Sequence, residues 1–148
     1  MQYTIKPFEA LTNSELYKLL QLRQAIFIIE QNCIYPDIDG KDENAHHLLA
    51  FDGDILVGCL RLLEKGVSYD EASIGRVVVS ECARGRGIAK EMMQRALDFT
   101  RTEWQETHIR ISAQSYAVPL YAGVGFAVVS EEYWEDGIPH VEMVCVLA

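Results

Sequence analysis

Ile74-Gly75-Arg76-Val77-Val78-Val79-Ser80-Glu81-Cys82-Ala83-Arg84-Gly85-Arg86-Gly87-Ile88-Ala89 is the most informative stretch of this chain. A β-branched run, Ser73–Val79, reads as a strand. It enters a glycine-rich turn, and the turn opens a helix in which Ile88, Met92, Met93, Ala96, Leu97, Thr100 and Trp104 recur at roughly helical spacing. Glycines let backbone N–H groups converge without Cβ clashes. The helix N-terminus favours an anion, and Arg84 and Arg86 add charge-assisted contacts. Physically this is a pyrophosphate cradle. It is neither a Walker A loop, since no Gly-Lys-Ser/Thr follows, nor a dinucleotide fingerprint, since Gly85 and Gly87 lack a third glycine at the right place. Alone, such a turn would read as a plain basic helix cap. The strand before it, the helix after it and a second motif downstream decide for the cradle.

Upstream, Gln2–Pro7 reads as a strand. Thr12 and Glu15 have capping-box spacing and start a helix with an apolar stripe of Leu16, Leu19, Leu20, Ile26 and Phe27. Arg23 and Glu30 fall on that stripe, where charge is unexpected. Seven residues apart, they are candidate partners for one another. Ile34–Asn44 is a loop. His47–Phe51 and Ile55–Leu63 form a hairpin about Asp52-Gly53-Asp54. Downstream, His108–Ala113 is a strand, and a short helix from Val118 to Tyr121 ends at Gly123 or Gly125. Ala127–Glu131 and His140–Leu147 make a final antiparallel pair joined by an acidic, aromatic loop. Antiparallel strands followed by a β–α–β crossover predict an α/β (α+β) class with a mixed sheet.

The 148 residues fit one domain, 1–148, and about half of them are hydrophobic, enough for a core. The 13 basic and 22 acidic residues give a charge of −9. That balance opposes nucleic-acid binding, which must neutralise phosphates, and would draw a cationic small molecule. The four cysteines, Cys33, Cys59, Cys82 and Cys145, form no CxxC pattern. Neither a signal-peptide run nor a bilayer-length apolar segment is evident, so a cytoplasmic protein without membrane partners is expected. No metal is expected. Asp37-x-Asp39-Gly40 has part of a calcium-loop spacing, but the anchoring positions would be Tyr35 and His46.

At this point the chain resembles the GNAT superfamily of acyl-CoA-dependent N-acyltransferases. Arg84, Gly87 and Ala89 match its Gln/Arg-x-x-Gly-x-Gly/Ala motif, with Glu81 where the preceding segment often has proline. Gln114-Ser115-Tyr116-Ala117-Val118-Pro119-Leu120-Tyr121-Ala122-Gly123-Val124-Gly125-Phe126 matches a second motif, with Gln114 replacing Asn. The stretches Phe27–Asp42 and Glu135–His140 resemble the ElaA-type branch. The resemblance covers nearly the whole chain. It implies a mostly antiparallel twisted sheet of six to seven strands flanked by about four helices, with acetyl-coenzyme A as cosubstrate.

The resemblance also implies roles. Val77, Val78 and Val79 would offer backbone groups to the pantetheine arm and an N–H to the thioester carbonyl. Arg84, Gly85, Arg86, Gly87, Ile88 and Ala89 would hold the pyrophosphate. Gln114 would lie near the coenzyme, and Tyr121 would protonate the leaving thiolate as general acid. Glu30 and His140 are candidates for the base or acceptor site; a water chain is a third. The acidic loops Asp37–Asp42 and Glu131–Asp136 either select a cation or are simply solvated. The expected partner is a small-molecule or peptide amine. A homodimer is compatible with the sequence. The competing reading is a non-catalytic acyl-CoA sensor. Neutralising Glu30 should, on this reading, affect the amine and leave coenzyme affinity unchanged.

Overall fold

The computed structural model describes residues 1–147. Eight strands form one sheet: β1 (Gln2–Pro7), β2 (His46–Asp52), β3 (Ile55–Leu63), β4 (Ala72–Val79), β5 (His108–Gln114), β6 (Phe126–Val128), β7 (Tyr133–Glu135) and β8 (Ile138–Val146). Their order is β1-β2-β3-β4-β5-β8-β6, with β7 paired to β8. Every pairing is antiparallel except β4–β5. The helices are α1 (Asn13–Arg23), α2 (Ile88–Thr102) and α3 (Val118–Ala122). The class is as expected. The strand beyond the expected six to seven is β7, inside what reads as an acidic loop. Asp136 and Gly137, at φ 51° and 75°, make its turn back into β8.

Alternation along the strands sends neighbouring side chains to opposite faces. Leu48, Leu60, Leu62, Ile109, Ile111 and Met143 pack with Met92 and Met93 of α2. Leu49, Cys59 and Val78 pack with Leu19 and Leu22 of α1. Both faces of the central strands are therefore covered, which accounts for the near-continuous apolar run of β3. The capping box at the start of α1 forms as expected. The Glu15 amide donates to Thr12 Oγ1 at 3.0 Å, and the Thr12 amide donates to Glu15 Oε1 at 2.9 Å.

Beyond Arg23 the helix widens into a π-helical segment, Gln24–Glu30. Its i→i+5 bonding changes the angular step per residue. Arg23 and Glu30 consequently do not share a face, and the expected pairing between them is absent. Arg23 is 1 % exposed. Its Nε donates to Asp37 at 2.9 Å, and its Nη1 donates to Asp42 at 2.8 Å.

The Asp37–Asp42 loop is thus neither solvated throughout nor free to select a cation. Asp39 receives Arg61 at 2.7 and 2.9 Å, and Asp42 also receives Arg61 at 3.2 Å. Arg76 contacts Asp37 at 2.8 Å and Asp39 at 3.3 Å. Three aspartates neutralise three arginines drawn from α1, β3 and β4. Burial works to raise the Asp42 carboxyl, but the bonds from Arg23 and Arg61 outweigh it and hold it below its usual range.

Candidate active site

Strands β4 and β5 pair only at Ala72–Ile109 and Ser73–Arg110, and then separate. On the other side of β4, Arg61 pairs with Gly75 and Cys59 with Val78, so Leu60 faces two β4 residues, Arg76 and Val77. This is a bulge, and Arg76 takes a left-handed φ of 51° within it. The bulge and the separation open a cleft of about 940 Å³ through the middle of the sheet. Val77, Val78 and Val79 form one wall and Gln114, Leu120 and Tyr121 the other.

The glycine turn lies where β4 leads toward α2. Gly85 and Gly87 have φ of 79° and 74°, and a Cβ on either would meet no protein atom within 4 Å. The space before the helix is open, and Ile88 begins α2 directly after Gly87. The first helical N–H groups lack intrahelical acceptors, so they face that space as anion donors. Arg84 and Arg86 are both exposed and both paired. Arg84 donates to the Glu30 carboxylate at 2.6 and 2.8 Å, and Arg86 donates to Asp52 at 3.0 Å. These turn residues fit a pyrophosphate: the glycines leave the space and the arginines flank it.

Glu30 therefore lies on the rim beside the cradle. The Arg84 guanidinium holds its carboxyl below the ordinary range, which makes it a weak proton acceptor.

Tyr121 lies midway along the cleft, half-buried, its ring edge-on to Phe126 at 6.1 Å between centroids. Burial pushes its phenol well up, so it stays protonated at neutral pH and can donate. Gln114 lines the cleft and exchanges two amide hydrogen bonds of 3.2 Å with Gln31. Cys33 Sγ donates to the Asp136 carbonyl at 3.2 Å. These two contacts tie the end of the π-helical segment to β5 and to the β7–β8 hairpin.

His140 also lines the cleft and is buried, in register with Gln114 on one side and Tyr133 on the other. Its Nδ1–H donates to the Ile138 carbonyl at 2.7 Å. That bond leaves Nε2 as the free nitrogen, 3.3 Å from the Glu135 carboxylate. Sequence reasoning missed Glu135. Its signal was the Asp136-Gly137 turn, which puts Glu135 opposite Ile138 and hence beside His140. Also missed were Arg61 and Arg76. An arginine inside the apolar strand Leu56–Leu63 was a visible demand for buried carboxylates. Among the described residues, no group of three or more His, Cys, Asp or Glu side chains is placed to hold a metal ion, and no helix is long and apolar enough to cross a membrane.

A family model described as an acetyltransferase (GNAT) domain matches residues 15–147. Protein ElaA of Escherichia coli is 41 % identical over 135 residues, covering 90 % of this chain and 88 % of that protein. The crystal structure of Escherichia coli ElaA superposes with a TM-score of 0.90 over 98 % of this chain and 99 % of that one, at 37 % identity. That of an acyl-CoA N-acyltransferase from Pseudomonas aeruginosa does so at 0.91, covering 98 % and 99 % of the two chains at 40 % identity. With a family match over most of its length and relatives about 40 % identical over nearly the whole chain, the chain belongs to the acyl-CoA-dependent N-acyltransferases of the GNAT family, in their ElaA-like branch.

Proposed function

We propose that the protein moves an acetyl group from acetyl-coenzyme A to a primary amine by direct attack in a ternary complex. The observation that carries this reading is the single cleft that runs from Arg84 and Ala89, past Val77–Val79 and Tyr121, to His140. One substrate can enter at each end and the two can meet beside Tyr121.

The thioester supplies an electrophilic carbonyl carbon and a thiolate leaving group. Arg84, Gly85, Arg86, Gly87, Ile88 and Ala89 hold the pyrophosphate. Backbone groups of Val77, Val78 and Val79, left without a β5 partner where β4 parts from that strand, hold the pantetheine arm and donate an N–H to the carbonyl oxygen. Such a donor contributes roughly 3 kcal/mol as charge develops there. His140 Nε2 takes the proton of the incoming ammonium, and Glu135 stabilises the resulting imidazolium. As the C–N bond forms and the C–S bond breaks, Tyr121 gives its phenolic proton to the sulfur, and the second proton of the attacking nitrogen restores the phenol as the amide forms. Gln114 fixes the cleft wall through Gln31. Glu30 serves as counter-charge to Arg84, with the proton-accepting role assigned to His140.

The test is acetyl-coenzyme A turnover, followed by thiol release and by mass of the product, across a panel of primary amines. Amine-dependent thiol release with an N-acetylated product is expected. Tight coenzyme binding without turnover on any amine would overturn the catalytic reading in favour of a sensor.

A further inference from the structure

One cation of the cleft lining lacks a counter-charge. Arg61 and Arg76 are matched by Asp37, Asp39 and Asp42, and Arg84 by Glu30. Lys41 lines the same cleft, half-buried, and among the described residues no carboxylate lies within ion-pair distance of it. Its Nζ donates only to Ser68 Oγ, at 2.8 Å. Arg76 makes its polar contacts through Nε and Nη2, leaving Nη1 without a hydrogen bond to any described residue. A partly desolvated cation without a counter-charge favours an anionic ligand.

The wall beyond Lys41 is continuous and polar. Tyr69, next to Ser68, faces Tyr133, Glu142 and Glu135. Burial, with those groups, pushes its phenol up to about 12. Ser112 bonds Tyr133 at 2.5 Å and donates to Glu135 at 3.5 Å, and Glu135 faces His140. One chamber thus offers cations at one side and a carboxylate–imidazole pair at the other, joined by hydroxyls.

We infer that the acceptor is a small amino acid, its carboxylate held at Lys41 and Arg76 and its ammonium delivered to Glu135 and His140. This rests on the acetyl-transfer reading above. It refines the expectation of a simply cationic acceptor: the acidic loop that would have selected a cation is neutralised by arginines, so what remains suits a zwitterion.

The test compares matched acceptors: amino acids of increasing amine-to-carboxylate spacing, their C-terminal amides, and the corresponding decarboxylated amines. The free carboxylate should raise kcat/KM at least tenfold over the amide at the best spacing. Lys41→Met should reduce that preference about tenfold, through KM, and Lys41→Arg should retain most of it. Amides or decarboxylated amines accepted as well as the amino acids would overturn the inference while leaving acetyl transfer intact. So would a Lys41→Met enzyme with an unchanged preference. No transfer to any amine would overturn both readings together.

Discussion

The Glu30 carboxylate accepts both terminal N–H groups of Arg84, at 2.6 and 2.8 Å, across 54 residues of sequence. An arginine of the phosphate cradle is thus already engaged by a protein anion. In the proposed binding mode a pyrophosphate would share or displace that carboxylate, so Glu30 would act first on the coenzyme. This differs from the expectation, drawn from sequence, that neutralising Glu30 would leave coenzyme affinity unchanged.

Glu30→Gln should therefore tighten coenzyme A binding. The pair is exposed, with side-chain exposures of 38 % and 42 %, and exposed pairs contribute little. The gain should be no more than about fivefold by calorimetry and should shrink as salt screens the pair. Arg84→Met should weaken binding roughly ten- to hundredfold, because charge-assisted bonds to a phosphate are lost.

Gly87→Val should abolish coenzyme binding. A β-branched residue is strained at a φ of 74°, and its side chain would enter the space before α2. The strain should also lower stability by about 1–3 kcal/mol. Gly87→Ala, with less bulk, should bind weakly and melt between the two. Calorimetry and thermal melts together separate the filled cradle from the strained turn.

Tyr121→Phe should keep coenzyme affinity while slowing turnover about 10²- to 10⁴-fold, the usual contribution of a general acid. The ring still packs on Phe126, so the melting temperature should barely move. A wild-type kcat in the Phe variant would assign the thiolate's proton to another group.

The arginine–aspartate cluster should make the protein acid-labile. Burial opposes ionisation of Asp39 and Asp42, yet bonds from Arg61 and Arg23 hold both carboxyls below their ordinary values in the fold. The unfolded chain then binds protons more readily as pH falls, so the aspartates' contribution is full above about pH 5 and declines below about pH 4. His47 adds to the same trend. Burial lowers it in the fold, so protonation of the unfolded chain begins near pH 6.5 and favours unfolding below that. Arg23→Met takes the buried guanidinium away from Asp37 and Asp42, leaving them only Arg76 and Arg61, and should cost about 3–5 kcal/mol. Denaturant melts from pH 3 to 7 would read both effects.

Local signals were legible in the sequence. Thr12 and Glu15 announced their cap, Asp52-Gly53-Asp54 its hairpin, and Gly85–Gly87 the turn that opens α2, because each depends on residues close in the chain. What was hidden depends on distant partners. Nothing near Asp37 or Asp42 shows that Arg23, Arg61 and Arg76 converge on them from three elements. The π-helical segment carries no distinct composition, so the stripe argument extended α-helical geometry through it and paired Glu30 with Arg23. Strand β7 was missed because three residues, Tyr133–Glu135, are too few for an alternation to register. His140 could be nominated by residue type, but its partner Glu135 became visible only once that strand had formed.

The parting of β4 from β5 makes the protein's two halves unequal in how they are joined. Strands β1 to β4 are laced together along their lengths, as are β5 and β8, but between the two groups the ladder has only two rungs. A chain-like substrate laid in the gap would supply rungs that the polypeptide omits. Bound coenzyme would then act as an extra strand, stiffening the seam it crosses. Amides of Val77–Val79 should exchange more slowly with it in place, and the whole domain should melt later.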